Sequence, residues 1–331
     1  MTRNSLIARL LAAFVMTPSG GCSDPAWQSP VRMTIGPVDG NTTSFVAVGD
    51  FGTGELAQYA LAEAMAKVCE RQGCDFVLGL GDNFYPEGVS SVMDERFQSS
   101  FEDPFAGFDI PFYMVLGNHD VEQTESPQAQ IAYASDRWKL PGRWYAFHVG
   151  PVRFVALDTT LTGENRGERQ LKWIDYALSA PDDADWTVAY GHHPLYSNGP
   201  HGNAAGPSAE WLRRAVCGSG AVDLYLAGHD HDLQWLAAKP DECRDTEFIV
   251  SGAGARPRAL DGWANTAHFM QGRTLGFFWF KAAADSLTGR AYDADGVLLF
   301  ERTLRRPSGE AATGGSNGGV ATTPQSPVES P

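Results

Sequence analysis

Five apolar runs in this chain of 331 residues each stop at a glycine followed at once by a side chain able to bind metal. The segments are Gly49-Asp50, Gly81-Asp82-Asn83-Phe84-Tyr85, Gly117-Asn118-His119-Asp120, Gly191-His192-His193 and Gly228-His229-Asp230-His231. The runs before them, 45–48, 76–80, 112–116, 187–190 and 222–227, have the length and composition of buried strands. In an α/β sheet ligands bind beyond the carboxyl ends of strands, so all five segments would gather at one edge. A glycine before each one removes a Cβ that would crowd the centre. His229 and His231, two apart in extended chain, point to the same side. Any single Gly-Asp pair is as readily a turn or a helix cap. Repeated after five strands, the pattern reads as one binuclear metal site.

A hydrophobic fraction of 43% over this length supplies a sizeable core. The formal net charge of -15 repels polyanions over most of the surface. That argues against nucleic acid as a partner and requires a local positive site for any anionic substrate. At the N-terminus, Arg3 and Arg9, the apolar stretch 10–16 and Pro18-Ser19-Gly20-Gly21-Cys22 read as a signal peptide over 1–21, too short for a membrane span. Cys22 after small residues resembles a lipoprotein cleavage site, where an acylated cysteine becomes a lipid anchor; cleavage nearby to an unanchored chain is the other outcome. The expected location is therefore exported: periplasmic or anchored at the outer membrane, or secreted. The remaining cysteines are even in number, which in an exported chain suggests two disulfides. Proximity favours Cys69 with Cys74 and Cys217 with Cys243.

Residues 22–43 read as a polar leader, and from Ser44 strands alternate with helices. Stretch 55–71 carries Leu56, Tyr59, Ala60, Ala64 and Val68 at helical spacing, 168–179 carries Leu171, Ile174 and Leu178, and 208–216 follows Pro207. Stretches 248–250, 275–281 and 289–302 read as strands, with Asp293-Ala294-Asp295-Gly296 as a hairpin connection. From Pro307 Gly, Ser, Thr and Pro dominate, so 307–331 is expected to be disordered. One α/β domain over 44–306 is the economical reading.

The ordered set Gly-Asp-Phe-Gly (49–52), Gly-Asp-Asn-Phe-Tyr (81–85), Gly-Asn-His-Asp (117–120), Gly-His-His-Pro-Leu-Tyr (191–196) and Gly-His-Asp-His (228–231) resembles the metallophosphoesterase superfamily. Tyr85 points within it to the purple acid phosphatases. Alone, Phe84-Tyr85-Pro86 would be a packing turn; three residues after Asp82, the phenol reads as a ligand. Gln130-Ile131-Ala132-Tyr133, Arg137-Trp138, His201-Gly202 and Ser251-Gly252-Ala253-Gly254 are similar to the small, mammalian-type (tartrate-resistant) branch.

The resemblance implies a four-layer sandwich of two mixed β-sheets flanked by helices, with the metal site at the carboxyl ends of strands. Asp50, Tyr85 and His231 would hold Fe(III), Asp82 would bridge to a divalent Fe, Zn or Mn, and Asn118, His192 and His229 would complete the second site. Carboxylate and phenolate are hard donors suited to Fe(III), while imidazole and amide oxygen suit a divalent ion. The implied reaction is hydrolysis of small phosphate monoesters by a bridging or Fe(III)-bound hydroxide. It would be favoured at acidic pH, since a trivalent ion lowers the pKa of water further than zinc, which brings it to about 7. The rivals are a phosphodiesterase or nucleotide pyrophosphatase of the same superfamily, decided by the pocket around Tyr196, His201 and Trp263, and a metal- or phosphate-binding lipoprotein without turnover.

His119 and His201 are the implied catalytic groups, contacting phosphate or protonating the departing alcohol. His193 fits packing or outer contacts, and Asp120 and Asp230 would accept hydrogen bonds from imidazoles. The chain departs from that branch at Phe51, where tryptophan is common, and in the short stretch 158–169. That stretch lacks the branch's longer, cysteine-bearing loop, which argues against activation by cleavage.

Overall fold

The computed structural model of the chain describes residues 33–34, 40–179, 184–262 and 264–306. The expected signal peptide over 1–21, the expected acylation at Cys22, most of the leader, Trp263 and the tail 307–331 with its expected disorder lie outside the described residues.

Two mixed sheets carry the five segments. In one, Thr42–Val48 is central and runs parallel to Phe76–Gly79, which is followed by Phe112–Met114 and Trp138–Lys139. On its other side lie antiparallel Gly276–Ala283, Ser286–Asp293 and Leu298–Arg305. The second sheet has parallel Val152–Ala156, Trp186–Tyr190, Leu224–Ala227 and Glu247–Ser251 at its centre. Tyr145–Val149 and Met33–Thr34 extend it on one side, Leu233–Leu236 and Ala267–Gln271 on the other. Three of the segments thus leave the first sheet and two the second, and they meet at the seam.

Period-two alternation packs the sheets together. Phe154 and Ala156 of one strand, Val188 and Tyr190 of the next, and Leu224 and Leu226 of a third face the other sheet, while Val155, Ala189, Tyr225 and Ala227 face outward. Because both faces are buried, these strands are nearly continuous apolar runs. Between the sheets Phe45 stacks on Phe76 and Phe280 and meets Phe154 edge-on at 5.1 Å. Cutting Phe45 to alanine would cost about 3–5 kcal/mol.

Helices form the outer layers, giving the expected four. Glu164–Ser179 and Gly206–Cys217 cover the second sheet through Leu171, Ile174, Trp211 and Val216. Leu56–Gln72 covers the first, but its buried stripe is Leu61, Ala64, Met65 and Val68. The expected face was partly wrong, for Leu56 is 88% exposed and Tyr59 and Ala60 are also in solvent. The buried stripe starts at Gln58 and Leu61, so helical spacing of apolar residues alone misplaced it. The helix stops at Gly73, whose φ of 82° admits a left-handed residue and whose N–H bonds the Cys69 carbonyl at 2.9 Å. Disulfides join Cys69 to Cys74 and Cys217 to Cys243, the pairs that proximity favours. No helix among the described residues is long and apolar enough to cross a membrane.

Candidate metal centre

At the strand ends, Asp50, Asp82 and His229 adopt φ of 59°, 52° and 71°. A left-handed non-glycine residue is uncommon and strained by roughly 1–2 kcal/mol. Each follows a glycine, and the reversal turns its side chain back toward the neighbouring loop. Mutual bonds hold the turns: Asp50 N–H donates to the Gly81 carbonyl at 3.0 Å, His229 N–H to Asp50 Oδ2 at 2.8 Å, and Gly228 N–H to the His192 carbonyl at 3.0 Å. Close approach explains two of the glycines. A Cβ on Gly117 would sit 2.2 Å from Asp82 Oδ1, and one on Gly228 would sit 2.5 Å from Asp50 Oδ2.

The side chains divide into two groups around Asp82. Its Oδ2 accepts from Tyr85 OH at 3.0 Å, and that phenol oxygen lies 3.3 Å from both Asp50 Oδ1 and His231 Nε2. Its Oδ1 lies 3.4 Å from His192 Nε2, which is 3.0 Å from Asn118 Oδ1 and 3.2 Å from His229 Nδ1. All seven residues singled out as ligands are therefore brought together. Ligand atoms of Asp50, Asp82 and His192 lie within 4.8 Å of one another, as do those of His192, His193 and His229.

This donor set fits cations. Nδ1 of His192 faces the Leu80 carbonyl at 2.9 Å and Nδ1 of His231 faces the Arg256 carbonyl at 2.8 Å. A carbonyl only accepts, so each Nδ1 carries the proton and each Nε2 turns a lone pair inward. Lone pairs of nitrogen, amide oxygen and carboxylate then face one another. Burial, and next the Asp82 charge, holds Asp50 well above the usual carboxylate range; burial also raises Asp82. Burial holds His192, His229 and His231 below the usual imidazole value, and raises the Tyr85 phenol far above its own, with Asp50 and Asp82 adding to that. Bound cations would reverse the shifts of both carboxyls and of the phenol, and would keep the neutral imidazoles that ligation needs.

His119 and His201 stand beside this cluster. The His119 ring lies 4.7 Å from the Tyr85 ring, its backbone N–H donates to Asp82 Oδ1 at 3.0 Å, and Nδ1 faces the Pro86 carbonyl. Nε2 is thereby turned to the centre, 4.0 Å from Asp82 Oδ2. The His201 ring lies 4.2 Å from that of His229, with Nδ1 2.8 Å from buried Asp230. Asp120 behaves otherwise than expected. Among the described residues it bonds no imidazole, accepting instead from the backbone of Gly117, Asn83 and Phe84 and from Gln130 Nε2. Two ligand loops each expose N–H groups there, and a buried acid, raised by that burial to about 7, serves as their common acceptor.

Sequence reasoning had no signal for Thr159, whose Oγ1 lies 2.8 Å from His193 Nδ1 and fixes that ring 4.6 Å from His229. Nor could it find the Leu80 and Arg256 carbonyls, since backbone acceptors leave no residue-type signature.

Residues 43–233 match the calcineurin-like phosphoesterase family. The chain is 32% identical over 313 residues to human tartrate-resistant acid phosphatase type 5, covering 81% of this chain and 93% of the human protein. Among solved structures it is similar to GAP50, the anchor in the inner membrane complex of Plasmodium, with a TM-score of 0.69 at 21% identity over 82% of this chain and 90% of that one. It is also similar to the purple acid phosphatase PPD1 of yellow lupin, with a TM-score of 0.62 at 18% identity over 80% of this chain and 54% of that one.

Proposed function

Because the chain belongs to the calcineurin-like phosphoesterases, and within them to the purple acid phosphatases of the tartrate-resistant, mammalian-type branch, we propose that it hydrolyses small phosphate monoesters, favoured at acidic pH. Asp50, Tyr85 and His231 would hold Fe(III), Asn118, His192 and His229 would hold a divalent Fe, Zn or Mn, and Asp82 would be shared between the two sites. The observation that carries this reading is the division of the Asp82 oxygens, Oδ2 toward Tyr85 and Oδ1 toward His192. When bound, the two cations supply Lewis acidity and an activated water nucleophile.

The chain's own side chains do the rest. The Leu80 and Arg256 carbonyls fix the tautomers of His192 and His231, so that neither ring must lose a proton at Nε2 to bind. His119 and His201, with Nδ1 held by Pro86 and Asp230, present Nε2 to the substrate. There each donates a hydrogen bond to phosphate oxygen when protonated, and one gives its proton to the departing alkoxide. The two disulfides support an oxidising, exported setting, with a lipid anchor at Cys22 or a free chain.

Metal analysis with a visible spectrum tests the assignment. Iron with a broad band that Tyr85→Phe abolishes is expected; a colourless protein with two zinc or manganese ions overturns the Fe(III)-phenolate pairing. Faster release of phosphate from a monoester than from bis-p-nitrophenyl phosphate is expected. No release from any ester, with Asp82→Ala indifferent, sinks the enzyme reading.

A further inference from the structure

Beyond Ser251-Gly252-Ala253-Gly254 the chain reads Ala255-Arg256-Pro257-Arg258, and contact with the metal centre fixes its path. A Cβ on Gly252 would lie 2.2 Å from the Asp230 carbonyl and 2.7 Å from Asp50 Oδ2; one on Gly254 would lie 2.2 Å from the Gly49 carbonyl. The backbone therefore runs hard against the ligand loops. It is then pinned to His231 twice, with the Arg256 carbonyl 2.8 Å from His231 Nδ1 and Arg258 N–H donating to the His231 carbonyl at 2.7 Å. Arg256 and Arg258 therefore both start from backbone held at the rim of the centre.

Arg256 has its guanidinium carbon 5.9 Å from the Tyr85 ring centroid. Glu55 holds Nη2 at 2.5 Å and Nε at 3.4 Å, leaving Nη1 without a hydrogen-bond partner among the described residues, and the side chain stays 53% exposed. Arg258 is exposed and forms no ion pair among the described residues. Arg273, also exposed, donates its backbone N–H to the Arg258 carbonyl at 2.7 Å, so a third arginine leaves the chain beside this backbone. In a chain of net charge -15 these cations stand against the general field. Folding gives them little purpose, since the exposed Glu55 pair contributes about 0–1 kcal/mol and Arg258 lacks even that.

We propose that Arg256 and Arg258 form an anion-recognising rim on the Tyr85 and His231 side of the centre, selecting phosphate monoesters whose leaving group carries a second negative charge. This rests on the phosphatase reading above. The scissile phosphate engages the centre, and the second anion, a carboxylate or another phosphate, lies against the guanidinium groups. Their planar N–H pairs match the oxygens of either group.

Two ligands differing only in a terminal carboxylate, propylphosphonate and 3-phosphonopropionate, test the rim by calorimetric titration of the metal-loaded full chain. Wild type is expected to bind 3-phosphonopropionate about fivefold tighter at low salt, the most that an exposed pair near 1 kcal/mol gives. The preference should fall toward one in Arg256→Ala/Arg258→Ala and at high ionic strength. Propylphosphonate affinity should fall far less than that for 3-phosphonopropionate, because the alanine variant keeps the Arg256 main-chain carbonyl on His231, and Arg256→Lys/Arg258→Lys should keep most of the preference. With 3-phosphoglycerate and a neutral alkyl phosphate as substrates, the ratio of kcat/KM should shift in parallel. No preference in wild type, an undiminished preference in the double alanine variant, or equal loss of both ligands overturns the rim. Protein that binds neither phosphonate overturns the phosphatase reading beneath it.

Discussion

One carboxylate oxygen of Asp230 takes both hydrogen bonds that His201 directs to it, from the backbone N–H at 2.9 Å and from ring Nδ1 at 2.8 Å. The carboxylate is buried, and its other oxygen accepts from Ser197 Oγ. Asp230 also lies between His229 and His231 in the chain, so the turn that places those two imidazoles also places the holder of the His201 ring. With the proton kept on Nδ1, Nε2 faces outward.

Asp230→Asn keeps the shape of that holder and removes its charge. We expect kcat to fall about 10- to 100-fold, the usual scale for losing such a partner, with KM, metal content and visible spectrum little changed. Adding His201→Gln to Asp230→Asn should cost little more, because the two act as a unit. Additive losses in steady-state kinetics would show that Asp230 acts elsewhere.

Metal stabilisation should depend on pH with a definite sign. Asp50 and Asp82 have folded pKa values raised above the unfolded one, about 3.9. In the metal-free protein their contribution to stability is therefore full below that value and lost as pH rises through the folded pKa. His192, His229 and His231, lowered by burial, have the opposite sign: their contribution is present above about 6.5 and lost as pH falls. Cations require all five groups unprotonated, so binding in acid must displace protons from the two carboxyls. The rise in Tm on adding metal should be larger at pH 7 than at pH 5, and proton release measured in buffers of different ionisation enthalpy should grow as pH falls. A larger rise at pH 5 would falsify this linkage.

The parts of the molecule legible in sequence were those where residue type alone decides. The ligand-bearing strands are apolar on both faces, and their ends carry side chains of unmistakable chemistry. Tyr145–Val149 and Val152–Ala156 gave no such signal, because His148 and Arg153 interrupt them. Arg153 is nonetheless buried, its guanidinium bonding the Ala177 carbonyl and Thr187 Oγ1. Leu233–Leu236 hid inside the motif that follows His231, and Ala267–Gln271 is a half-buried edge. Left-handed turns at Asp50 and Asp82 were equally invisible, since aspartate tolerates that conformation without demanding it. Asp120 was misread because an acid next to a histidine resembles an imidazole partner, whereas tertiary contact gave it three backbone donors.

Gly117→Ala should disturb the centre while leaving the fold intact. The added Cβ would fall 2.2 Å from Asp82 Oδ1 and 2.3 Å from Asp82 N, so the Asp82 carboxylate must move. Overpacking of this kind costs about 1–3 kcal/mol, and a misplacement near 1 Å costs about 100-fold in rate. Metal content should drop below that of wild type while far-ultraviolet circular dichroism is preserved. Gly107→Ala, where nothing lies within 4 Å, is the control and should leave metal content alone. Full metal content and rate in Gly117→Ala would show that the loop yields more readily than this contact implies.

The two disulfides should differ in what they contribute to stability, because their sequence separations are 5 for Cys69–Cys74 and 26 for Cys217–Cys243. Loop-closure entropy gives about 2 kcal/mol for the short loop and about 3.5 kcal/mol for the long one. Cys243 is 1% exposed and packs with Leu212, Val216 and Phe248, so a serine there buries a hydroxyl in a mostly apolar site in addition to the lost bond. Cys69 and Cys74 lie at the partly buried end of a helix, where water can reach a serine. Cys217→Ser/Cys243→Ser should therefore lower Tm by at least about 3–6 °C more than Cys69→Ser/Cys74→Ser, the shift that a difference near 1.5 kcal/mol gives in a domain of this size. Scanning calorimetry of the two double variants without reductant makes the comparison. Equal shifts would mean that the unfolded chain gains no extra freedom from opening the longer loop.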